Sequence, residues 1–402
     1  MLLCHIDEVE PGMILGAAVV NPQSPDLELL KPGVAVSAAA LKRLRSMGVK
    51  QLWLDHDVTR DLDAAMAGGV SSARLAAYTQ MRDDFSRMSR KTVTAGQVHE
   101  YRQTLMEMVC QLMSAKEYAG LTDQLFACQG DHFSHGANVA YLSLIAGLEL
   151  ENYIIRERPR LSRQYAGDLV NLGVGGMLHD IGKAALEGPA VNHHEIIPGV
   201  DPDPANWPEG YDTHTIVGFK LLRESRAPAS ATQAVLNHHQ RYNGTGWPDL
   251  SKVVGDRGGG AKQGRSIHVF TRIVSAANVL DNLLRDADGE QRPPVVALHE
   301  FASSRFDGWL DPVIRQTMLR VIPPFAIGSR VDLSDGRAAV VVAPNRQAPC
   351  RPLVRLIGEP AGPDGEPAAL DLAQCSDVRI TSYLGTNVEA YTYDVPAFSE
   401  AA

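Results

Sequence analysis

Six residues of metal-ligand type stand in a fixed order across the middle of this chain: His135, His179 beside Asp180, His214, and His238 beside His239. If they act together, the fold must bring four well-separated segments to one point. Imidazoles supply neutral nitrogen ligands, and a carboxylate can bridge two cations. Two metals about 3.5–4 Å apart are a standard device for phosphate-ester hydrolysis. Any one of these histidines alone reads equally well as a hydrogen-bonded core or surface residue. His132, His193 and His194 stay in that ordinary class. The six together, in this order, do not.

The rest of the composition narrows the class. A net charge of −9 argues against a binder of nucleic-acid polymers working through a broad basic face, though a local cationic pocket for an anionic small molecule is compatible with it. The apolar fraction of 45% over 402 residues is ample for packed cores in two or three domains. Five dispersed cysteines with no CxxC read as reduced thiols of a cytoplasmic protein. The acidic stretch Met1 to Glu10 shows no secretory signal, and no apolar run is long enough for a membrane span.

Four successive regions are expected. Residues 1–60 read as a small α/β module. It has strand character over Met13–Val20 and Leu29–Val36, a helix capped by Ser37 and stopped near Gly48, and a last strand over Gln51–Leu54. Residues 61–120 read as a helical connector of two helices broken near Gly96, packing on the next domain or serving as a dimerising stalk. Residues 121–322 are mostly helical, with Ala137–Leu148, Leu169–Leu178, Ala231–Asn237 and Ile267–Leu284 as helical segments. A proline-rich stretch, Glu187–Tyr211, and a glycine-rich one, Gly255–Gly264, read as surface loops. Residues 323–402 turn β-rich. Gly328–Leu333 and Ala338–Val342 flank the hairpin signal Ser334-Asp335-Gly336, and Leu353–Ile357 offers another strand.

His179-Asp180-Ile181-Gly182-Lys183, His238-His239 and Gly246-Trp247-Pro248 together resemble the HD-GYP branch of the HD phosphohydrolases, over roughly residues 125–325. The resemblance implies a mostly α-helical HD-type catalytic domain, flanked here by the α/β module and the β-rich appendage. It implies two divalent metals, or three, with iron or manganese expected. It implies hydrolysis of cyclic di-GMP to linear pGpG or GMP. Carried over position by position, the metal ligands are His135, His179, Asp180 as the bridging carboxylate, His214, His238 and His239. Asp131, one turn before His135, reads as an extra ligand or as a helix cap. Lys183, one turn beyond the His-Asp pair, would meet a substrate phosphate and offset charge in the transition state.

The pattern is departed from at three amides. Gln240 replaces a glutamate, Asn243 an aspartate, and Asn278 a metal-ligating aspartate, while Asp281 keeps the second acid of that helix. An Asn carbonyl can coordinate a cation but brings no charge to offset it. Trp247 keeps the aromatic face and N–H of the family's tyrosine. Arg292 matches a phosphate-contacting arginine whose downstream partners are missing. Arg272 matches an arginine that reads as substrate contact or as structural anchor. The leading expectation is a metal-dependent cyclic di-GMP phosphodiesterase with metal-activated water as nucleophile. The rival is a catalytically impaired module that binds metal, nucleotide and a partner such as a GGDEF-domain protein through the Gly244–Pro248 loop. An HD phosphohydrolase for other phosphate esters is disfavoured by that loop. A homodimer through residues 61–120 is a further expectation.

Overall fold

The computed structural model describes residues 1–21, 24–62, 92–114, 132–185, 213–248, 262–286, 291–359 and 368–395, with positions 76, 77, 79, 80 and 83. Asp131, His193, His194 and most of both expected surface loops lie outside the described residues, as does most of the first connector helix.

The chain opens with strand β1 (Leu2–His5), β2 (Val19–Asn21), β3 (Ser24–Leu30), helix α1 (Ala38–Ser46) and β4 (Gln51–Leu54). Ser37 caps α1, its Oγ accepting from the Ala40 N–H at 3.1 Å. The long strands expected over Met13–Val20 and Leu29–Val36 are shorter and shifted. Ile14 and Leu15 form only isolated bridges, to Ala35 and Leu54. Pro11-Gly12 and Pro32-Gly33 punctuate the segments, since proline gives no ladder donor and both glycines have positive φ.

Next in the chain is the helical body. Helix α2 (Ala95–Ser114) begins where the sequence places a break, near Gly96. Thr94 and Gln97 fasten that start reciprocally, at 3.2 and 2.9 Å. Then come α3 (His132–Glu149), α4 (Glu151–Glu157), α5 (Val170–Met177), α6 (His214–Glu224), α7 (Ala229–Asn237), α8 (Val269–Leu283), α9 (Pro294–Ala302) and α10 (Pro312–Val321). Helix α5 is apolar on nearly every side and buried, as a helix must be when neighbours surround it. It packs against α2, α3, α7 and α8 in the largest hydrophobic core. No described helix is long and apolar enough to cross a membrane.

The last part is antiparallel: β5 (Arg330–Leu333), β6 (Ala338–Ala343), β7 (Leu353–Leu356), β8 (Ala369–Asp371), β9 (Ile380–Tyr383) and β10 (Thr386–Asn387), in the order β10-β9-β5-β6-β7-β8. The first and last parts share their cores. Leu2, Ile6, Leu15, Leu41 and Leu52 pack with Ile327, Val340 and Val342, and Leu3 and Trp53 with Val331, Val341 and Tyr383. The Leu3 N–H donates to the Gly328 carbonyl at 2.7 Å, and Arg355 pairs with Asp61 at 2.6 and 2.8 Å. The fold is thus a mostly helical domain joined to a composite of the two chain ends.

Candidate metal centre

Helix α3 carries His135 on its first turn. The end of α5 runs into His179-Asp180 and a single 3-10 turn, Ile181–Ala185. Helix α6 starts at His214, and α7 ends at Asn237, just before His238-His239. Helix ends thus meet helix ends. Their side chains form two groups, each with ligand atoms lying within 4.8 Å of one another: His135, His179 and Asp180, and Asp180, His214, His238 and His239. Asp180 belongs to both.

Backbone carbonyls orient two of the rings. Nδ1 of His179 meets the Gly176 carbonyl at 2.7 Å, and Nδ1 of His238 meets the Val235 carbonyl at 2.9 Å. A carbonyl only accepts, so each Nδ1 carries the proton and each Nε2 presents a lone pair. The inward nitrogens crowd Asp180. Oδ1 lies 3.1 Å from His214 Nε2 and 3.6 Å from His238 Nε2, and Oδ2 lies 3.4 Å from His179 Nε2 and 3.8 Å from His135 Nε2. Lys183 donates to Oδ2 at 2.6 Å. Burial pushes the Asp180 carboxyl up, but the Lys183 ammonium beside it more than reverses this and holds it well below the usual carboxylate range.

Two glycines make the approach possible. A Cβ on Gly182 would lie 1.9 Å from the His214 carbonyl oxygen, so only glycine lets α6 start against the His-Asp turn. Gly246, at φ +92°, would place a Cβ 2.2 Å from the His239 carbonyl oxygen. The loop held there lays Trp247 flat on His239, with ring centroids 4.0 Å apart at 18°, and edge-on to His214 at 5.2 Å.

All six ligand-type residues from the sequence therefore meet, with Lys183 and Trp247 against them. Asp131 falls outside the described residues. Asn278 is buried on α8, and its Oδ1 accepts from Asn282 at 3.2 Å. Arg272 is buried, and its guanidinium holds Glu157, Asp311 and, at 2.7 Å, the Tyr153 hydroxyl, while Nε donates to the Ile267 carbonyl at 3.0 Å. Of the two readings the sequence left open for Arg272, this geometry is that of an anchor between α4, α8 and α10. Arg292 pairs with Glu300 at 3.0 Å and reaches the Leu283 carbonyl at 3.3 Å. Gln240 and Asn243 shape the loop. Gln240 Nε2 donates to the Pro248 carbonyl at 2.6 Å, a bond a carboxylate cannot make. Asn243 Oδ1 accepts from Thr245 N and Oγ1 at 3.1 and 2.7 Å, as an aspartate would. Sequence reasoning did not anticipate the contact of Asp281 with His135 Nδ1, at 2.7 Å. The only signal was its place three residues after Asn278 on the same helix.

This donor set suits a first-row divalent metal: five imidazoles, one shared carboxylate, and hydrogen bonds that already aim two of the rings.

Comparison with known proteins agrees. Residues 133–283 match the family model "HD domain", and that span contains both ligand groups. A relative named "Cyclic di-GMP phosphodiesterase PA4108", from Pseudomonas aeruginosa, is 25% identical over 353 residues, covering 80% of this chain and 76% of its own. Among solved structures, Bd1817, described as a HDG"Y"P protein from Bdellovibrio bacteriovorus, aligns with a TM-score of 0.44 at 15% identity, over 80% of this chain and 98% of that one. The span that matches the HD domain model thus holds the His-Asp pair at the junction of the two buried ligand groups.

Proposed function

We propose that this chain is a metal-dependent phosphodiesterase that hydrolyses cyclic di-GMP to linear pGpG or GMP. The observation that carries this reading is Asp180, one buried carboxylate common to two ligand groups. The Pseudomonas relative is named for hydrolysis of that dinucleotide. His135 and His179 would hold one divalent ion, His214, His238 and His239 a second, and Asp180 both. Bound iron or manganese supplies Lewis acidity, polarising the phosphoryl group toward attack by water.

The protein's own groups do the rest. The carbonyls of Gly176 and Val235 keep His179 and His238 in one tautomer and one orientation, so no reorganisation is needed when a ligand arrives. Lys183 keeps Asp180 ionised. From the same position it offsets negative charge on a phosphate brought beside Asp180. Trp247, stacked on His239, walls the site with an aromatic face suited to a guanine base.

The test is hydrolysis of cyclic di-GMP by anaerobically purified protein with added iron or manganese. Asp180→Ala is expected to abolish both metal uptake and turnover; turnover retained in that variant would sink the mechanism.

A second reading is a module that binds nucleotide and a signalling partner, such as a GGDEF-domain protein, through the Gly244–Pro248 loop. One observation favours it: Asn278 is uncharged and buried on α8. Gln240 and Asn243 do not speak for it, because both have structural work in the loop. Asn278→Asp discriminates. A rise in turnover of tenfold or more marks the natural chain as impaired, and an unchanged rate favours the enzyme.

A further inference from the structure

Six side chains make up the two ligand groups, and among them only Asp180 is a carboxylate. That one negative charge already faces the Lys183 ammonium at 2.6 Å. Among the described residues, two divalent ions would therefore sit in a buried site whose ligands and adjacent lysine sum to no net charge. An uncompensated buried charge is costly, so a further anion nearby would matter.

His135 differs from its neighbours in what holds its ring. His179 and His238 give their Nδ1–H to backbone carbonyls. His135 Nδ1 instead lies 2.7 Å from Oδ2 of Asp281, a buried acid that belongs to neither ligand group. The far side of the same ring carries Nε2 to 3.1 Å from His179 Nε2. A carboxylate accepting from one ring nitrogen fixes the tautomer, makes the other nitrogen a stronger donor, and passes negative charge toward the metal. The i, i+3 partner on that face of α8, Asn278, has no charge to give.

We propose that Asp281 is a positioning residue that orients His135 and supplies, through its ring, a negative charge to the metal centre beyond that of Asp180. The inference rests on the metal-dependent reading above, and concerns metal affinity, not the identity of the substrate.

The probe is Mn²⁺ binding to the full chain, counted and titrated by electron paramagnetic resonance. Asp281→Asn keeps the size and an acceptor oxygen but removes the charge. It should weaken one Mn²⁺ site by about ten- to a hundredfold and leave the other unchanged. In a His135→Ala background the same substitution should change nothing further, because the effect travels through that ring. Mn²⁺ binding equal to wild type in Asp281→Asn would overturn this proposal alone. So would an equal loss with and without His135, which is what a merely structural role produces. A wild-type chain that takes up neither manganese nor iron would overturn the phosphodiesterase reading with it.

Discussion

The helical body and the composite β body solve the same problem of long-range assembly by different means. In the helical body, the ends of α3, α5, α6 and α7 converge on one carboxylate, and several of those ends are fastened by contacts within a few residues: Gly176 to His179, Val235 to His238, Lys183 to Asp180. In the β body, partners lie at opposite ends of the chain: Leu3 with Gly328, Asp61 with Arg355, Trp53 in the core of β5, β6 and β9. The first can hold its site geometry almost locally. The second exists only when both chain ends are in place, so it should respond as one unit and do so without reaching the metal centre.

The largest effect is expected where that local design is tightest. Gly182→Ala puts a Cβ 1.9 Å from the His214 carbonyl oxygen, which forces α6 away from the His-Asp turn. Metal uptake and turnover should both be lost, measured by metal analysis and hydrolysis assay, while the circular dichroism of the β body stays. If the variant loads metal normally, the claim that local contacts set the site is broken.

A smaller effect is expected from Trp53→Ala, which opens the core shared by the two chain ends. Urea unfolding should show a loss of about 3 kcal/mol. Metal content of the folded protein should stay at the wild-type level. A parallel loss of metal would show that the two bodies are coupled.

The smallest effect concerns His268, the N-cap of α8, whose Nδ1 accepts from the Phe270 N–H at 3.1 Å. Burial, aided by Arg158, Arg272 and Lys262, pushes its pKa down from 6.5 to about 4. The unfolded chain takes up this proton below pH 6.5 and the native chain does not until about 4, so stability falls as the pH drops through that window. The contribution is about 2 kcal/mol after allowing for partial solvent screening. His268→Asn keeps a capping oxygen and should remove this part of the acid sensitivity, read as a flatter dependence of the urea midpoint between about pH 7 and about pH 4.5. An unchanged slope would place the acid sensitivity elsewhere.

Legibility in the sequence tracked the range of the interactions. The order His135, His179-Asp180, His214, His238-His239 was readable because each motif is short and its neighbours are part of it. The helices around them were readable from apolar periodicity, and α1 from its Ser37 cap. Strand extents near the N-terminus were not, because Ile14 and Leu15 look like strand residues and only the placing of Ala35 and Leu54 limits them to single bridges. The partners of two of the amides were not readable either: Gln240 donates to the Pro248 carbonyl and Asn243 accepts from Thr245.

The sequence by itself determined the ligand types, their order, the helical character of the segments that carry them, and the chemistry such a set can hold. Tertiary structure alone decided that Asp180 stands between two ligand groups, that Arg272 is held by Glu157, Asp311 and Tyr153, that Asp281 stands behind His135, and that the two chain ends close on one core. The physical reason is the same in each case. Propensity and periodicity act over one or two turns of chain, whereas the partner of a buried charge is set by whichever element packing brings within about 3 Å.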